Sequence, residues 1–438
     1  MAQPQGQQPR VLVVGAGFGG LATMSGLRRT SAGVTLVDRN IYSTFQPLLY
    51  QVATGGLNGS DIAYPTRGTS RKYHASFQHG EMTGLDPSAR KITLADGSSL
   101  DYDYLIIATG VAAAHFGVPG AAEHTQGLYT RKDAIALRDQ LMTMLEDLNN
   151  EDGDGELAIT VAGGGATGVE LAGTLAELRN IALASAYPDI NRARVQVRLV
   201  EMAPVLLAPY KKSLRDYARD QLARRGVDVR LGTEICKVTA SHVTLSDGQE
   251  LRSDITVWAA GVAAPAAAAG WGLPQGRGGR IVTGPDLRVK GQDRIFAIGD
   301  IAVIDGQPLP QLAQPALQTG RFAAAQVRRL IAGQETDSFS YHDKGIMATI
   351  GSRSAVVQLP AGIRLRGTLA WLAWLGLHLI TLLGNRNRIS ALVNLSWRYL
   401  TWSRGGGLIM GDEDPPEASP AAGSRRQNGR GQPPAPGG

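Results

Sequence analysis

The stretch RVLVVGAGFGGLATMSGLRR, Arg10–Arg29, predicts the architecture of the chain around it. An apolar run is followed by a glycine turn with Gly15, Gly17 and Gly20 in the spacing GxGxxG, and then by a helical pattern. The first glycine allows the sharp bend, the second lets the backbone approach a pyrophosphate, and the third lets the helix pack closely on the strand. The next apolar run, GVTLVD, ends in Asp38, an acid that can accept the hydroxyls of an adenosine ribose. The stretch therefore predicts a dinucleotide-binding domain.

The same pattern recurs in LAITVAGGGATGVELAGTLAEL, Leu157–Leu178. This turn has the same glycine spacing and one hydroxyl side chain: Gly163, Gly165, Thr167 and Gly168. The strand that follows, VQVRLVE, ends in Glu201, and a carboxylate at this position repels a 2′-phosphate, which favours NADH over NADPH. Two such domains in one chain suggest a flavoprotein that holds FAD tightly and oxidises a nicotinamide.

Cysteine and histidine usage narrows the chemistry of this 438-residue chain. The single cysteine, Cys236, excludes a disulfide framework and a CxxC redox pair within one chain. It lies in TEICKV, a predicted strand, where we expect a core residue. The seven histidines show no metal-ligand spacing, so the sequence predicts no metal site.

Further segments resemble the flavoproteins that carry two dinucleotide-binding domains. DYDYLIIATG ends in Thr109 and Gly110, and RIFAIGD ends in Asp300; both look like that superfamily's later FAD contacts. The resemblance implies that Asp300 binds the ribityl chain and that Gly110 touches the flavin nucleotide. DITVWAAGV, around Ala260 and Gly261, is similar to the strand end that lies against NADH.

Within that superfamily the chain, over residues 10–404, resembles the type II NADH dehydrogenases, which are single-subunit, non-pumping NADH:quinone oxidoreductases. FQPLLYQVATGGL, with Gln46 and Thr54, is similar to that family's segment under the flavin. AQPALQTG, from Ala313, resembles its quinone-site motif, and YHDKGIMATIG, from Tyr341, resembles its DKG segment. The resemblance implies FAD, NADH and a quinone as cofactor and substrates.

Four residues are candidates for the chemistry itself. Gln314 and Gln318 are four apart on one helix face, where their amides could bind a quinone carbonyl or the flavin edge. The family resemblance places Glu170 near the nicotinamide and flavin, and Lys344 near the quinone site. Quinone reduction takes up two protons, and we expect a buried carboxylate and a lysine to relay them through mutually shifted pKa values.

The C-terminal part of the chain is strongly basic. Of the formal net charge of +6, the segment Pro360–Arg404 accounts for all, with six arginines and no Lys, Asp or Glu. Four of the six tryptophans also fall there: Trp371, Trp374, Trp397 and Trp402. A basic segment can bind nucleic acid or an anionic membrane, and tryptophans beside apolar runs favour the membrane.

The run LAWLAWLGLHLITLL, Leu369–Leu383, has 15 residues, whereas a spanning helix needs about 20. One helical stripe carries Trp371, Trp374, His378 and Thr381. We expect a helix lying in the membrane interface, with its indoles at headgroup level and its leucines among acyl chains. RISALVNLSWRYLTWSR, from Arg388, is a second candidate, although its helical wheel is mixed. The alternative is that both helices pack as a core or a dimer interface.

The predicted fold is α/β, with two Rossmann-like domains and a membrane-associated helical segment. Its boundaries are 8–117 and 266–335 for the FAD domain, 118–265 for the inserted NADH domain, 336–404 for the membrane-binding segment and 405–438 for a disordered tail. Residues from about 365 to 404 would bind the membrane surface.

The N-terminal MAQPQGQQPR lacks the apolar region of a signal peptide, and with the family resemblance this leads us to expect a peripheral protein on the cytoplasmic face of the membrane. We also expect a homodimer. Two alternatives stay open. One is a soluble ferredoxin or rubredoxin reductase, and the other is an NADH-binding flavoprotein of redox signalling. A sulfide:quinone oxidoreductase or disulfide reductase is disfavoured, because both need a pair of cysteines beside the flavin.

Overall fold

The computed structural model describes residues 8–150 and 155–401, the last four of these for the backbone alone. Its first part contains β1 (Arg10–Val14), α1 (Phe18–Leu27), β2 (Gly33–Asp38), β3 (Tyr42–Thr44), α2 (Leu49–Ala53), β4 (Ala63–Pro65), α3 (Thr66–Lys72), β5 (Ser76–His79), β6 (Met82–Asp86), β7 (Lys91–Leu94), β8 (Ser99–Asp101), β9 (Tyr104–Ile107) and β10 (Ala112–Ala113).

The middle part contains α4 (Ala121–His124), β11 (Gln126–Gly127), α5 (Arg131–Asn150), β12 (Leu157–Ala162), α6 (Ala166–Glu177), α7 (Leu183–Ala186), β13 (Val195–Glu201), α8 (Lys212–Arg224), β14 (Asp228–Leu231), β15 (Ile235–Val238), β16 (His242–Leu245), β17 (Glu250–Arg252), β18 (Ile255–Trp258) and β19 (Val262–Ala263). The last part contains β20 (Ile281–Thr283), β21 (Ile295–Ala297), β22 (Ala302–Ile304), α9 (Ala313–Ile331), β23 (Ile346–Thr349), β24 (Ala355–Gln358), β25 (Arg364–Arg366), α10 (Thr368–Thr381) and α11 (Asn385–Thr401).

Two parallel five-stranded sheets with equivalent strand orders form the centre of the molecule. The first runs β21-β9-β1-β2-β5, and the second runs β11-β18-β12-β13-β14. A three-stranded antiparallel sheet accompanies each, β6-β7-β8 and β15-β16-β17. Because β21 follows the whole second sheet in the chain, the first domain is interrupted by the second. The predicted fold class is confirmed.

The central strands are buried on both faces because they lie between helices. β1 reads RVLVV with four of its five residues buried, and β12 reads LAITVA with all six buried. Continuous apolar runs of this kind are typical of parallel sheets covered on both sides. The carboxyl ends of both sets of strands therefore meet the glycine turns at one edge of each sheet.

Helices α1 and α9 pack unusually closely through small residues. A Cβ added at Gly320 would lie 2.3 Å from the carbonyl oxygen of Gly19, and one at Gly26 would lie 2.6 Å from the Cβ of Ala324. The hydroxyl of Thr23 donates to the carbonyl of Gly320 at 3.1 Å. This contact fixes the AQPALQTG motif, the first turns of α9, against the helix of the first glycine turn.

The predicted C-terminal segment, 336–404, begins with the three-stranded sheet β23-β24-β25 and continues with two helices, α10 and α11. The helices agree with the sequence prediction, but one face of α10 points differently from the expectation. Trp374 is only 2 % exposed, and it and Leu382 belong to the main hydrophobic core. Placing this indole at headgroup level was therefore wrong, because its stripe packs against the protein. The outer face of α10 instead carries exposed leucine and isoleucine side chains: Leu369, Leu372, Leu377 and Ile380.

Two other expectations concern Cys236 and the C-terminal tail. Cys236 is exposed, so assigning it to the core was wrong. The pairing of β15 with β16 shifts register between Ile235 and Lys237, so Cys236 has no partner there, while Ile235 and Val238 fill the core. The predicted tail 405–438, with Trp402 and Arg404, lies outside the described residues.

The contact between α1 and α9 predicts an asymmetric response to alanine. Gly320→Ala places a methyl group against backbone atoms that cannot move aside, so we expect a loss of about 1–3 kcal/mol and a thermal midpoint several degrees lower. Gly68→Ala is the matched control, because Gly68 is exposed in α3 and its added Cβ would meet nothing within 4 Å. It should leave the midpoint unchanged or raise it. Equal midpoints for both variants would contradict the packing argument.

Candidate active site

The first glycine turn leaves open space where a phosphate would lie. Gly15 has φ of +108°, and a Cβ there would lie 2.3 Å from the carbonyl oxygen of Ala108. A Cβ at Gly20 would lie 1.8 Å from the carbonyl oxygen of Gly15, so both positions exclude any side chain. In contrast, a Cβ at Gly17 would meet nothing within 4 Å. The space in front of the N-terminus of α1 therefore suits an anionic group.

The second glycine turn repeats this geometry. Gly163 has φ of +107°, and its added Cβ would lie 2.5 Å from the carbonyl oxygen of Ala259 and 2.8 Å from the Cα of Ala260. A Cβ at Gly168 would lie 1.9 Å from the carbonyl oxygen of Gly163, whereas Gly165 again faces open space. Thr167 is exposed in the first turn of α6. The chain thus forms two glycine turns of the same construction, each with open space at its middle glycine.

The acids that follow the second strand of each unit hold their turns in the same way. Asp38 accepts hydrogen bonds from the backbone N–H of Ala16 at 2.5 Å and of Asn40 at 2.6 Å. Burial raises the pKa of Asp38, and these backbone donors lower it. A carboxylate has about four acceptor positions, so capacity is left for ribose hydroxyls.

Glu201 makes the equivalent contacts in the second domain. It accepts from the N–H of Gly164 at 2.5 Å and from the N–H of Ala203 at 2.7 Å. The sequence suggested both acids as ribose ligands, and the structure adds that each also fixes its glycine turn.

The strand ends of the first sheet carry buried polar atoms without a protein partner. Among the described residues, the Thr109 hydroxyl, after β9, and one Asp300 carboxyl oxygen, after β21, are buried and accept or donate no hydrogen bond. Burial raises the pKa of Asp300 to about 6, and Arg280 lowers it. Unpaired buried polar atoms are rare in folded proteins and indicate a polar ligand. The residues present therefore fit a dinucleotide in the first domain.

Tyr129 joins this cluster, although no sequence pattern identified it. A Cβ at Gly110, which has φ of +69°, would lie 3.4 Å from the Tyr129 hydroxyl. The Gln46 side chain donates to the Tyr129 carbonyl at 3.5 Å. Burial and the neighbouring Asp300 raise the pKa of Tyr129. Predicted contacts that are distant in sequence, Gln46, Gly110 and Asp300, thus meet around one tyrosine.

Thr54 and Gly261, two other residues predicted to contact a cofactor, each have a neighbour in the protein that explains their position. Thr54 is buried at the end of α2, where its hydroxyl donates to the carbonyl of Tyr50 at 2.9 Å. Gly261 follows β18, and a Cβ there would lie 2.5 Å from the ring of Phe116. The absence of a side chain at Gly261 makes room for Phe116, whose ring is 68 % exposed.

Glu170 is a buried acid between three elements. It lies on α6 and accepts a hydrogen bond from the N–H of Thr349 in β23 at 3.1 Å. Burial raises the pKa of Glu170 to about 8, although the N–H of Thr349 and the side chain of Trp374 in α10 lower it. A pKa in this range favours the protonated carboxyl at neutral pH.

A series of ring contacts joins Glu170 to the first glycine turn. The Trp374 indole stacks on His378 with centroids 4.0 Å apart, and His378 meets Phe45 edge-on at 6.1 Å. Phe45 meets Phe18, the first residue of α1, at 5.7 Å. The inner face of α10 thus contacts residues of both Rossmann-like halves. The signal for it in the sequence was the stripe of Trp374 and His378, which we expected at headgroup level.

The two glutamines of α9 have different surroundings. The Gln318 side chain donates to the carbonyl of His342 at 2.9 Å and accepts from the His342 N–H at 3.0 Å. It therefore fastens the DKG segment to α9. Gln314 lies one turn earlier and is partly buried. Pro315 lies in the first turn of α9, where the N–H that proline lacks would have no partner within the helix.

Lys344 is not brought together with Glu170. It is exposed in the loop before β23, whereas Thr349, which contacts Glu170, ends that strand. Five extended residues correspond to about 16 Å. The causes that set the pKa of Glu170 are burial, the N–H of Thr349 and the side chain of Trp374. A proton relay between Glu170 and Lys344 stays a prediction.

Comparison with known proteins agrees with this geometry. The model of the pyridine nucleotide-disulphide oxidoreductase family matches residues 9–320. The chain is 36% identical to type II NADH:quinone oxidoreductase NdhA of Mycobacterium tuberculosis, over 91% of this chain and 89% of that protein. It is 33% identical to the type II NADH:quinone oxidoreductase of Staphylococcus aureus strain RF122, over 79% of this chain and 89% of that protein.

Among solved structures, NDH2 from Plasmodium falciparum in complex with NADH superposes with a TM-score of 0.85. It is 20% identical, and the match covers 92% of this chain and all of that one. At this identity the superposition supports the fold alone. The two sequence relatives establish the family: the chain belongs to the type II NADH:quinone oxidoreductases, within the pyridine nucleotide-disulphide oxidoreductase family.

Proposed function

We propose that this protein oxidises NADH and reduces a membrane quinone, with FAD between the two substrates and without pumping protons. The observation that carries the proposal is the pair of glycine turns of the same construction, with the buried acid Glu170 on the helix that follows the second turn. The relatives named for NADH and quinone support the choice of substrates.

FAD would occupy the first domain. The open space at Gly17 would take its pyrophosphate, Asp38 its adenosine ribose, and the unpaired atoms of Thr109 and Asp300 its remaining polar groups. Bound FAD supplies a hydride acceptor for NADH and an electron donor for the quinone. The protein residues bind and orient it.

NADH would occupy the second domain, with its pyrophosphate at Gly165 and Thr167. Glu201 would accept the 2′-hydroxyl of the adenosine ribose and repel the 2′-phosphate of NADPH. Ala260 lies directly against the second glycine turn, which supports its place beside the nicotinamide half.

The proton balance gives Glu170 a role. NADH releases two electrons and one proton as a hydride, whereas a quinone takes up two electrons and two protons to form a quinol. The second proton must come from water. A carboxyl that is buried yet protonated near neutral pH can hold that proton, donate it to a quinone oxygen and take up another from solvent.

Lys344 and the two glutamines complete the proposed quinone chemistry. Lys344 would supply or relay a proton from the surface, where it is exposed. Gln314 would contact the quinone or the flavin edge. Gln318 would act there too, since its amide already positions the adjoining DKG segment.

The C-terminal helices support a membrane-bound enzyme. Among the described residues, no helix combines the length and the apolarity that crossing a bilayer requires. The outer faces of α10 and α11 nevertheless expose bulky apolar side chains: Leu369, Leu372, Leu377, Ile380, Ile389, Leu392, Val393 and Trp397. We propose that this face lies in the membrane interface, with exposed arginines such as Arg386 beside anionic headgroups.

Helix α11 turns both polar and apolar side chains toward the protein, which explains its mixed helical wheel. Ser390 and Asn394 donate to Asp61 at 2.6 and 2.8 Å, and Asn387 donates to the carbonyl of Ala63 at 2.7 Å, while Ala391 and Leu395 join the core. The larger apolar side chains on the other side face outward: Ile389, Leu392, Val393 and Trp397. A helix that exposes its apolar side gains only where an apolar phase covers it. We place this face on the cytoplasmic leaflet and expect a homodimer.

Adding substrates in sequence to the purified protein tests the function. NADH should bleach the flavin absorption, a quinone analogue should restore it rapidly, and NADPH should act far more slowly. A colourless protein, or one that reoxidises only with an iron–sulfur protein, would contradict the proposal. Reoxidation without sustained turnover would favour a signalling role.

Glu170→Gln should lower the rate of quinone reduction and abolish the fall of that rate at alkaline pH, which we call the alkaline limb of the pH profile. Below about pH 8 the carboxyl is protonated and can donate, and above it the carboxyl is ionised and cannot, so the wild-type rate should fall as pH rises through 8. Lys344→Ala should slow the reaction and keep this limb. Steady-state rates between pH 6 and 10 measure both effects. Full activity in both variants would contradict a proton relay through Glu170 and Lys344.

Charged substitutions on the outer face test the membrane contact. Ile380→Glu with Ile389→Glu should reduce co-sedimentation with phosphatidylglycerol vesicles at least tenfold, because glutamate is costly to bury among acyl chains. Activity with a soluble dye should persist, since neither side chain reaches the core. Ile181→Glu, outside these helices, is the control and should bind as the wild type does. Unchanged sedimentation of the double variant would contradict the membrane contact.

A further inference from the structure

Phe116 is a large apolar side chain in an exposed and strained position. It is 68 % exposed, and its φ is +52°, in the left-handed region that bulky residues rarely adopt. Exposure and backbone strain are both unfavourable by themselves, and residues held in such conformations concentrate at ligand-binding sites. The surroundings of the ring indicate which ligand it serves.

The ring lies at the carboxyl end of β18. A Cβ added at Gly261 would lie 2.5 Å from the Cε2 of Phe116 and 2.6 Å from its Cζ. The φ of Gly261 is not positive, so its backbone alone would admit a side chain, and the ring is what excludes one. The preceding residue, Ala260, lies directly against Gly163. Only two residues therefore separate the ring from the second glycine turn.

The loop that carries Phe116 is held on both sides by the second domain. Before the ring, the indole Nε1 of Trp258 donates to the carbonyl of Ala114 at 2.8 Å. After the ring, the N–H of Val238 donates to the carbonyl of Pro119 at 2.9 Å. These bonds fix the backbone around Phe116, so the exposed ring has a defined place at the strand end.

The topology of the second sheet indicates which part of a dinucleotide meets this place. The strand order is β11-β18-β12-β13-β14, and the chain passes from β12 through α6 to β13. The crevice between the carboxyl ends of β12 and β18 is thus a switch point, where parallel sheets bind nucleotides. Glu201, at the end of β13, would accept the adenosine ribose. The nicotinamide half then extends the opposite way, toward β18 and Phe116.

The first domain offers an internal comparison. Its strand β9 occupies the place of β18, and Gly110 follows β9 by three residues as Gly261 follows β18. An aromatic side chain lies beside Gly110 too, since an added Cβ would lie 3.4 Å from the Tyr129 hydroxyl. There the buried, unpaired atoms of Thr109 and Asp300 indicate a ligand. The repeat of the fold thus places an aromatic side chain at the equivalent strand end in both domains.

We propose that Phe116 is a substrate-binding residue whose ring packs against the nicotinamide half of NADH at the carboxyl end of β18. The inference rests on the proposed function and deepens it by adding a residue that recognises one half of the substrate. An aromatic side chain binds a flat heterocycle through stacking and edge contacts. Bound NADH would cover the ring, which accounts for an apolar side chain held at the surface.

Calorimetric titration of the oxidised holoenzyme with two nucleotides tests the proposal. NAD⁺ carries the nicotinamide ring and is not consumed, whereas ADP-ribose lacks that ring and keeps the rest of the molecule. Phe116→Ala should raise the dissociation constant of NAD⁺ about tenfold, the loss expected for one aromatic contact. It should change the constant of ADP-ribose less than twofold.

Three further variants make the result specific. Phe116→Tyr keeps the ring and should retain the wild-type affinity for NAD⁺. Phe116→Gly removes the ring and adopts a φ of +52° without strain, so it serves if Phe116→Ala has a lowered thermal midpoint. Ile181→Ala is the control, because Ile181 is an exposed apolar residue of the same domain outside the crevice. It should bind both nucleotides as the wild type does.

The outcomes are distinguishable from failure of the proposed function. Wild-type protein that binds NAD⁺ and does not reduce quinone would overturn that function and leave the role of Phe116 open to the same titration. Unchanged NAD⁺ affinity in Phe116→Ala and Phe116→Gly would overturn the binding role. An equal loss for NAD⁺ and ADP-ribose would also overturn it, because the ring would then act on the shared half or on the loop alone.

Discussion

The architecture depends on two places where no side chain can stand. At Gly20 and Gly168 an added Cβ would come within 2 Å of the carbonyl oxygen of the first glycine of the same turn, Gly15 or Gly163. These contacts let the helix start directly against the strand end, and the middle glycine then faces open space. Because the constraint is local, it is repeated almost unchanged in two domains, and each turn is held by an acid, Asp38 or Glu201.

The proposed proton transfer depends on a different constraint, the removal of one carboxyl from water. Glu170 lies where the inserted domain, the DKG strand β23 and helix α10 meet, and burial raises its pKa to about 8. The ring contacts of Trp374, His378 and Phe45 link this place to the first glycine turn. A soluble two-nucleotide reductase would need neither this arrangement nor the apolar outer face of the same helix.

Much of the fold and many site residues followed from local pattern. The two glycine turns, their acids, the first-turn Pro315 and the C-terminal helices are properties of short stretches, because strand, turn and helix preferences act over a few residues. The prediction that Cys236 lies in the core was wrong for the opposite reason. A register shift in the pairing of β15 with β16 turns its side chain outward, and the register of a strand pair depends on both strands. The role of Lys344 rests on resemblance alone and stays a prediction, because its residue type and its exposed position in a loop do not specify a partner.

The orientation of the two C-terminal helices shows most clearly what the sequence determines and what the tertiary contacts determine. The sequence by itself determined that Leu369–Leu383 is an apolar helix too short to span a bilayer, since this depends only on composition and length. Which side of it meets the protein was decided by tertiary contacts, the pocket of Glu170 for α10 and the carboxylate of Asp61 for α11. A helical wheel shows which residues share a face, but what covers that face is supplied by segments far away in the chain.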